Sequence, residues 1–476
     1  MISFLEGYHS ISTFPEANYL RAYFLGMLSV QMREWLSLKL GDYQSGIHRK
    51  NKGAASIWSE SVAEKLDKFS MIHAATLLEI DDKKMVFQHS GWPHPFRIGS
   101  LVQITACDAN QQPNPLKEQW FRGVVLGIEA KKITLQSFAP RYSNEHISEI
   151  PFFNLEEVFL DSTIWATVKS LSNLFPNSRN FKTIEKMLGC SEPTFSRVDF
   201  SKDDRADRAI EMAHCANDYL LIQGPPGTGK TYSSANAILE LVKRGHRVGI
   251  TANTHAAAHQ LLSEITRFAA DHGFTQDSPV RIAVKPKEGE VQPTFNQTGV
   301  DVKFVKDAKK VAATLSDFNI VVGTSYLFSN AAMRSSVDTL IIDEAGQLSL
   351  ADSLAVSLAA RNTVLVGDPQ QLKQPTRASH PGTSGLSGLE HINQGHDVVP
   401  PEYGILLRVT RRMHPEIAIF ISEQVYEGKL EADPPCANQR IGDGGLVSGS
   451  GLYWLPVQHE GCSVRSVAEV AAVVKI

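Results

Sequence analysis

The sequence predicts an α/β protein whose main unit is a doubly wound parallel sheet, preceded by helices and a small antiparallel β-barrel. From about residue 203, short apolar runs alternate with helix-like runs, as in parallel sheets that are covered by helices on both faces. One apolar run, residues 219–223, leads into the glycine-rich turn GPPGTGKT. Residues 70–160 instead hold short strand-like runs broken by Pro, Gly and Asn, which is typical of antiparallel strands.

The composition limits the kind of protein that the chain can be. Its 476 residues, 42% of them hydrophobic, are enough for about three domains with their own cores. The net charge is −4, so a polyanionic partner must meet a local basic surface. The five cysteines are scattered and show no metal-binding spacing, which favours a reducing compartment. No apolar run approaches the roughly 18 residues of a membrane span, and no signal peptide is visible, so we predict a cytoplasmic protein with no membrane partner.

The N-terminal region, residues 1–69, is predicted to be helical. Residues 13–40 carry apolar side chains at helical spacing, after the capping-box pair Thr13 and Glu16. The basic stretch at residues 46–53 is interpreted as a solvated loop, and a nucleic-acid contact is the alternative.

The second region, residues 70–160, is predicted to be an accessory β-barrel. Such a barrel could serve as a platform for nucleic acid, or it could only brace its neighbour, and the sequence does not distinguish these roles. Residues 161–202 are predicted to form a helical connector. The NTPase unit then occupies residues 203–400, and a second α/β unit, residues 401–476, follows it with a predicted strand at 451–457 and a predicted helix at 466–475.

The glycine-rich turn predicts a phosphate-binding loop. Glycines permit backbone angles that turn successive N–H groups toward an anion, and the following helix adds its N-terminal partial charge. In this pattern Lys230 reaches the β- and γ-phosphates, and the Thr231 hydroxyl is a ligand of Mg²⁺. ATP and Mg²⁺ are therefore the expected cofactors. The expected cradle residues are Gly224, Pro225, Pro226, Gly227, Thr228 and Gly229.

Two adjacent acidic residues follow a second apolar strand, in TLIIDEAGQL at 339–348. We expect Asp343 to hold Mg²⁺ and Glu344 to orient and deprotonate the attacking water. An acidic pair after a strand is a weak signal alone. Downstream of a phosphate-binding loop in an α/β pattern it becomes a strong one.

Two further segments carry polar side chains suited to the γ-phosphate. In VLVGDPQQL at 364–372, the neutral amide of Gln371 can sense hydrolysis, although Gly-Asp-Pro is also ordinary turn chemistry. In TRRMHP at 410–415, Arg412 can supply a permanent, planar charge to the transferring phosphoryl group.

These elements in this order resemble the superfamily 1 helicases, in the branch of the RNA-surveillance helicase and the Okazaki-fragment nuclease–helicase. The segments GDPQQLKQPTRASHPGTSGLSGLEHI and TRRMHPEIAIFISEQVYEGKL are most similar to bacterial proteins that join a RecB-like nuclease to such a helicase. The resemblance covers residues 200–476 specifically. It implies RecA-like units around ATP, a single-stranded track across them and translocation from 5′ to 3′.

The resemblance also implies contacts for the nucleic acid and the base. Thr254 and His255, in ITANTHAAAHQLL, and Thr324 and Ser325, in VVGTSYL, match segments that grip the strand backbone, and helix capping is the alternative for these hydroxyls. Single-stranded DNA is favoured over RNA as the partner. Ala206 stands where an adenine-reading glutamine is expected. Arg411 stands where an aromatic residue usually stacks on adenine, and a guanidinium can also stack on a flat ring.

Later motifs of the second RecA-like unit are not found before Ile476. The chain is therefore expected to be a piece of a longer protein, and that protein could carry a nuclease domain.

The sequence thus predicts an ATP-dependent helicase or translocase. Three alternatives stay open at this point. The chain could be a nucleic-acid-stimulated ATPase that acts as a clamp without unwinding, or a fragment that binds nucleic acid without turnover. A P-loop kinase or GTPase is the weakest alternative, and the NTPase region lacks the NKxD motif that a GTPase would use.

Overall fold

The structure is a computed structural model. It describes residues 31–32, 35, 61–67, 69–81, 84–91, 93–112, 120–138, 144–157, 162–172, 181–195, 213, 217–286, 293–295, 297–374, 376, 385–442, 447–462 and 466–475. The basic stretch 46–53 lies outside these residues, as does the predicted helix 13–40 except for Gln31, Met32 and Trp35, which are helical. No helix in this described part is long and apolar enough to cross a membrane.

The first unit is a closed antiparallel barrel. Its strands are β1 Met71–Asp81, β2 Lys84–Gln88, β3 Leu101–Cys107, β4 Trp120–Glu129, β5 Lys132–Phe138 and β6 Phe152–Glu157. They close in the order β1–β2–β5–β4–β3–β6. Register shifts in β1 and β4 let these long strands bend, as closure requires. Alternate side chains fill the interior, among them the fully buried Phe87, Leu135 and Phe153. The predicted barrel is confirmed.

The second unit is built on an eight-stranded sheet in which every neighbouring pair is parallel. Its strands are β7 Tyr219–Gln223, β8 Val248–Ala252, β9 Val280–Val284, β10 Val300–Phe304, β11 Ile320–Thr324, β12 Val337–Asp343, β13 Ala360–Gly367 and β14 Gly404–Leu406. Their spatial order is β10–β9–β11–β8–β12–β13–β7–β14. Strands β7 and β8 are buried at every residue, because helices cover both faces. The predicted parallel sheet is confirmed.

Helices cover both faces of this sheet. In the described ranges, the α-helices with defined bounds are α1 Val62–Asp67 and α2 Asn144–Ser148, which contact the barrel strand β1, and then α3 Ser162–Ser172, α4 Phe181–Leu188, α5 Lys230–Lys243, α6 His255–Phe268, α7 Ala308–Ala313, α8 Ser325–Phe328, α9 Leu350–Ser357, α10 Gly388–Ile392, α11 Pro415–Val425 and α12 Val467–Lys475. The 3-10 turns lie at Leu315–Asp317, Ala331–Met333, Ala345–Gln347 and Pro434–Asn438. Helices α5 and α6 pack on one face through residues such as Ile238 and Leu261. Helices α9 and α10 pack on the other face through Leu354 and Leu389.

The connector helices α3 and α4 join the core of the NTPase unit. Leu171 and Ile184 are buried in the same apolar cluster as α9. The Thr167 hydroxyl donates to Asp352 at 2.5 Å, and Lys186 forms a 2.7 Å ion pair with Asp218, just before β7. The described residues of the predicted connector therefore brace the sheet.

The chain beyond residue 400 departs from the prediction in two places. Strand β14 pairs with β7, so the first sheet extends past the boundary predicted at 400. The predicted strand at 451–457 is wrong. Its residues have no regular secondary structure, and Trp454 is 90% exposed, because this apolar run pairs with no strand among the described residues. The predicted helix at 466–475 is present as α12, and β15 Val409–Thr410 pairs with β16 Glu431–Ala432. A second RecA-like unit stays a prediction.

Candidate nucleotide and nucleic-acid site

The phosphate-binding loop joins the buried strand β7 to helix α5. Gly227 and Gly229 adopt left-handed angles, with φ of +78° and +87°, which side chains disfavour. A Cβ atom built on Gly224 would lie 2.2 Å from Cγ of Lys230, so the lysine chain crosses directly over this glycine. The glycines are therefore required both by backbone angle and by close approach.

Hydrogen bonds fix the loop from within and from β13. The Gly224 N–H donates to the Gly367 carbonyl at 2.9 Å, and the Thr228 hydroxyl donates to the Pro225 carbonyl at 2.8 Å. The Lys230 ammonium donates to the Gly224 carbonyl at 2.6 Å, which places it across the loop. Thr231 follows in the first turn of α5.

The acidic pair lies at the end of β12, two strands from the loop in the sheet. Asp343 is 6% exposed. Burial, followed by the neighbouring Glu344 carboxylate, raises the pKa of Asp343 to about 6. The Glu344 backbone N–H, 3.1 Å from Oδ1, and then the charge of the Lys230 ammonium lower that pKa in part. Glu344 itself has a left-handed backbone, with φ of +52°.

The arginine segment lies directly against the phosphate-binding loop. The Arg411 N–H donates to the Gly227 carbonyl at 2.8 Å, and the Thr410 hydroxyl donates to the Pro226 carbonyl at 2.8 Å. A Cβ atom built on Gly227 would lie 2.3 Å from Cβ of Arg412. Both arginine side chains are exposed, and Asp433 holds the Arg411 guanidinium at 3.3 Å.

Gln371 lies in the turn after β13 and is held by Asp368. Its amide Nε2 donates to Asp368 Oδ2 at 3.0 Å. Asp368 is 3% exposed, and its backbone closely approaches Gly346, just beyond the acidic pair. The two turns are therefore neighbours, as the carboxyl ends of adjacent parallel strands must be.

The residues present fit a phosphate chain accompanied by a hard cation. The missing Cβ atoms of Gly224 and Gly227 leave room for the Lys230 chain and for Arg412, so the loop brings a lysine and an arginine segment together. Burial, and then the Glu344 carboxylate, raise the pKa of Asp343, and a divalent cation bound beside this carboxyl would favour its ionised form. Thr231 could add a hydroxyl ligand to that cation.

The four residues predicted to contact nucleic acid lie at the carboxyl ends of β8 and β11. A cavity of about 360 Å³ brings His255, Thr324 and Ser325 together. Thr254 does not line this cavity, and its hydroxyl oxygen caps α6 by accepting the Ala257 N–H at 3.2 Å. Capping, the alternative interpretation, is thus present at Thr254, whereas the Thr324 side chain makes no cap of α8.

Sequence reasoning did not identify several residues that shape this site. Thr410 fastens the arginine segment to the loop, Asp433 fixes Arg411, and the Tyr426 hydroxyl donates to Asp368. The TRRMHP segment marked the position of Thr410, but the contacts of Asp433 and Tyr426 had no local sequence signal. Ala206, at the position expected to read adenine, lies outside the described residues.

The chain is similar in sequence to a known family and to several known proteins. A family described as "AAA domain" matches residues 203–381. The chain is 27% identical over 300 residues to the DNA replication ATP-dependent helicase/nuclease DNA2 of Gallus gallus, covering 61% of this chain and 28% of that protein. It is 23% identical over 402 residues to the DNA-binding protein SMUBP-2 of Mesocricetus auratus, covering 73% of this chain and 40% of that protein.

Among solved structures, the arterivirus nonstructural protein 10 (helicase) matches 76% of this chain and 58% of its own, with 15% identity and a TM-score of 0.35. The chain spans well under half the length of the two relatives named above. The resemblance of this chain to the superfamily 1 helicases, predicted from its motifs, is confirmed by its relatives.

Proposed function

We propose that this chain is the motor part of an ATP-dependent helicase, which hydrolyses ATP with Mg²⁺ and moves along single-stranded DNA from 5′ to 3′. The observation that carries the proposal is the convergence on one loop. Lys230 crosses the glycine cradle and its charge acts on Asp343, and Thr410 and Arg411 fasten the arginine segment to the same loop.

Each residue has a chemical role in this proposal. The Lys230 ammonium leaves the Gly224 carbonyl and pairs with the β- and γ-phosphates. Thr231 and Asp343 would hold Mg²⁺, which would supply positive charge to the phosphate oxygens. Glu344 orients water and accepts its proton.

Gln371 and Arg412 read the γ-phosphate. Arg412 can swing toward the loop, because its backbone already touches Gly227 while its side chain is exposed. Arg411 would stack on the base, held flat by its ion pair with Asp433.

The strand track would follow the carboxyl ends of β8 and β11. Thr254, His255, Thr324 and Ser325 lie there, and hydroxyl and imidazole groups suit phosphate oxygens without reading sequence. The net charge of −4 offers no general attraction for DNA, so binding would rest on local contacts and would weaken with salt. The relatives' printed names, a helicase/nuclease and a DNA-binding protein, favour DNA over RNA and leave room for a nuclease domain in the full protein.

Lys230→Ala tests the hydrolytic part of the proposal. We expect ATP hydrolysis stimulated by single-stranded DNA to fall by about 10²–10³-fold, because the substitution removes a charge aimed at the transferring phosphoryl group. The matched control is Lys243→Ala at the other end of α5, whose side chain only pairs with Glu240. Equal hydrolysis in wild type and Lys230→Ala would overturn the proposal.

Strand displacement separates the motor from its alternatives. A 5′-tailed duplex should be unwound and a 3′-tailed duplex should not. DNA-stimulated hydrolysis without displacement of either would identify a clamp, and binding without hydrolysis would identify an inactive fragment. Titration of the ATPase with single-stranded DNA against RNA decides the partner.

A further inference from the structure

Asp368 is a buried carboxylate at which separate parts of the nucleotide site meet. Its Oδ1 accepts the Gln370 N–H at 3.2 Å and lies 3.4 Å from Nε2 of Gln223, the last residue before the phosphate-binding loop. Its Oδ2 accepts Nε2 of Gln371 at 3.0 Å and the Tyr426 hydroxyl at 2.6 Å. The Tyr426 hydroxyl therefore makes the shortest of these contacts and comes from 58 residues further along the chain.

The chemistry of these groups fixes the orientation of the Gln371 amide. Both Nε2 of Gln371 and the Tyr426 hydroxyl donate to the Asp368 carboxyl group, so the NH₂ group of the amide faces Asp368 and the amide oxygen points away. Burial, followed by the hydrogen bond to Asp368, raises the pKa of the Tyr426 hydroxyl, which therefore stays a donor. A hydrogen bond from a hydroxyl to a carboxylate is short and strong.

Tyr426 also lies at the C-terminal end of α11, the helix that follows the arginine segment. It comes directly after α11, whose first residue lies three positions beyond Arg412. Its ring is 2% exposed and packs with Val398, Leu406 and Leu430. A displacement of α11 would therefore move Tyr426 and change its hydrogen bond to Asp368.

We propose that Tyr426 is a positioning residue for ATP hydrolysis. Its hydroxyl holds the Asp368 carboxyl group, which in turn holds the Gln371 amide. The orientation of that amide is thereby coupled to the position of α11, the helix that follows Arg412. This inference rests on the proposed function. Loss of the hydroxyl removes the shortest contact of Asp368, so the carboxylate can rotate and the Gln371 amide loses its fixed orientation. The turnover rate then falls, while binding of ATP, which does not involve Tyr426, is retained.

Tyr426→Phe removes this hydroxyl and leaves the ring in place. We expect kcat for DNA-stimulated ATP hydrolysis to fall about tenfold and KM for ATP to stay within about twofold of wild type. The matched control is Tyr403→Phe, which removes a hydroxyl that donates to the Cys190 carbonyl at 2.8 Å, outside the nucleotide site. We expect its kcat to stay within about twofold of wild type. Equal kcat in the two variants would overturn the inference.

A double-mutant cycle distinguishes positioning from a general structural role. If Tyr426 acts through Gln371, Tyr426→Phe has no further effect on kcat in a Gln371→Ala background. If the fold-losses of kcat in Tyr426→Phe and Gln371→Ala multiply in the double variant, the inference is overturned. Wild-type hydrolysis that depends on Lys230 but is unchanged by Tyr426→Phe overturns this inference alone, whereas absence of Lys230-dependent hydrolysis overturns the proposed function and the inference with it.

Discussion

Gly227 is the residue at which the phosphate-binding loop and the arginine segment touch. Its left-handed backbone shapes the loop, and its missing side chain leaves room for Cβ of Arg412 and the Thr410 hydroxyl. The glycine pattern predicted the first role from local spacing. The second role could not be predicted, because the hydrogen bond from Thr410 to Pro226 joins residues 184 positions apart. Tyr426 and Asp433 escaped prediction for the same reason.

Gly227→Ala should therefore weaken nucleotide binding as well as stability. A left-handed alanine costs about 1–2 kcal/mol, and the new Cβ would also lie 2.3 Å from Cβ of Arg412. We expect ATP affinity, measured by calorimetry, to fall at least about tenfold, because the arginine segment must move away.

The control is Gly245→Ala, after α5, where φ is +82° and no atom lies within 4 Å of the added Cβ. It should lose only the backbone cost of about 1–2 kcal/mol in urea unfolding and keep its ATP affinity. An equal loss of affinity in both variants would show that backbone strain, and not contact with the arginine segment, is responsible.

At the scale of elements, continuous apolar runs predicted the strands well. The apolar run at residues 219–223, which leads into the glycine-rich turn, forms β7 with the same bounds. This strand is covered on both faces, so its sequence contains little but apolar residues. The run at 451–457 is also mostly apolar and forms no strand, because an apolar composition does not specify a neighbouring strand to pair with.

Helix α10 should make the stability of the protein depend on pH. His391 on α10 is 4% exposed, and its Nε2 lies 3.0 Å from the Leu188 carbonyl at the end of α4. Burial lowers the pKa of His391, and the hydrogen bond to Leu188 opposes this only in part. The unfolded chain therefore binds the proton more readily. The contribution of neutral His391 to the free energy of unfolding is complete above about pH 6.5, the pKa of an unperturbed histidine. It is lost as the pH falls from there toward the pKa of His391 in the folded protein, because the unfolded chain takes up the proton first.

Urea unfolding at pH 7.5 and pH 5.5 measures this dependence. His391→Gln keeps a hydrogen-bond donor but cannot titrate, so it should lose less stability than wild type between these two pH values. The exposed His396→Gln should behave as wild type. A pH dependence unchanged in His391→Gln would contradict the interpretation.

At the scale of the whole molecule, the NTPase sheet draws on distant parts of the chain. The connector helices α3 and α4 pack beneath it, and β14 completes its edge beside β7. The order of the units along the chain was predictable, since strand-like and helix-like patterns change near residues 70 and 203. Where the first sheet ends was not predictable, because a three-residue strand carries no periodic signal.

Removal of residues 401–476 should consequently destabilise the NTPase unit itself. Ile405 and Leu407 are buried in its core at 3% and 1% exposure. Each fully buried aliphatic side chain contributes about 1.5–3 kcal/mol, so we expect a chain ending at residue 400 to lose about 3 kcal/mol or more in urea unfolding. A chain ending at residue 442 keeps β14 and α11 and should lose much less. If the chains ending at 400 and at 442 unfold at the same urea concentration, then β14 does not stabilise the NTPase unit, and the predicted boundary at residue 400 stands.

The Thr254 hydroxyl can cap α6 and still bind the backbone of a DNA strand. The cap uses a lone pair on the hydroxyl oxygen, which accepts from Ala257. A hydroxyl also carries a proton that it can donate, and a DNA phosphate needs only a donor. One threonine could therefore secure α6 and grip a passing strand at the same moment, so releasing the strand at each step would not loosen the helix.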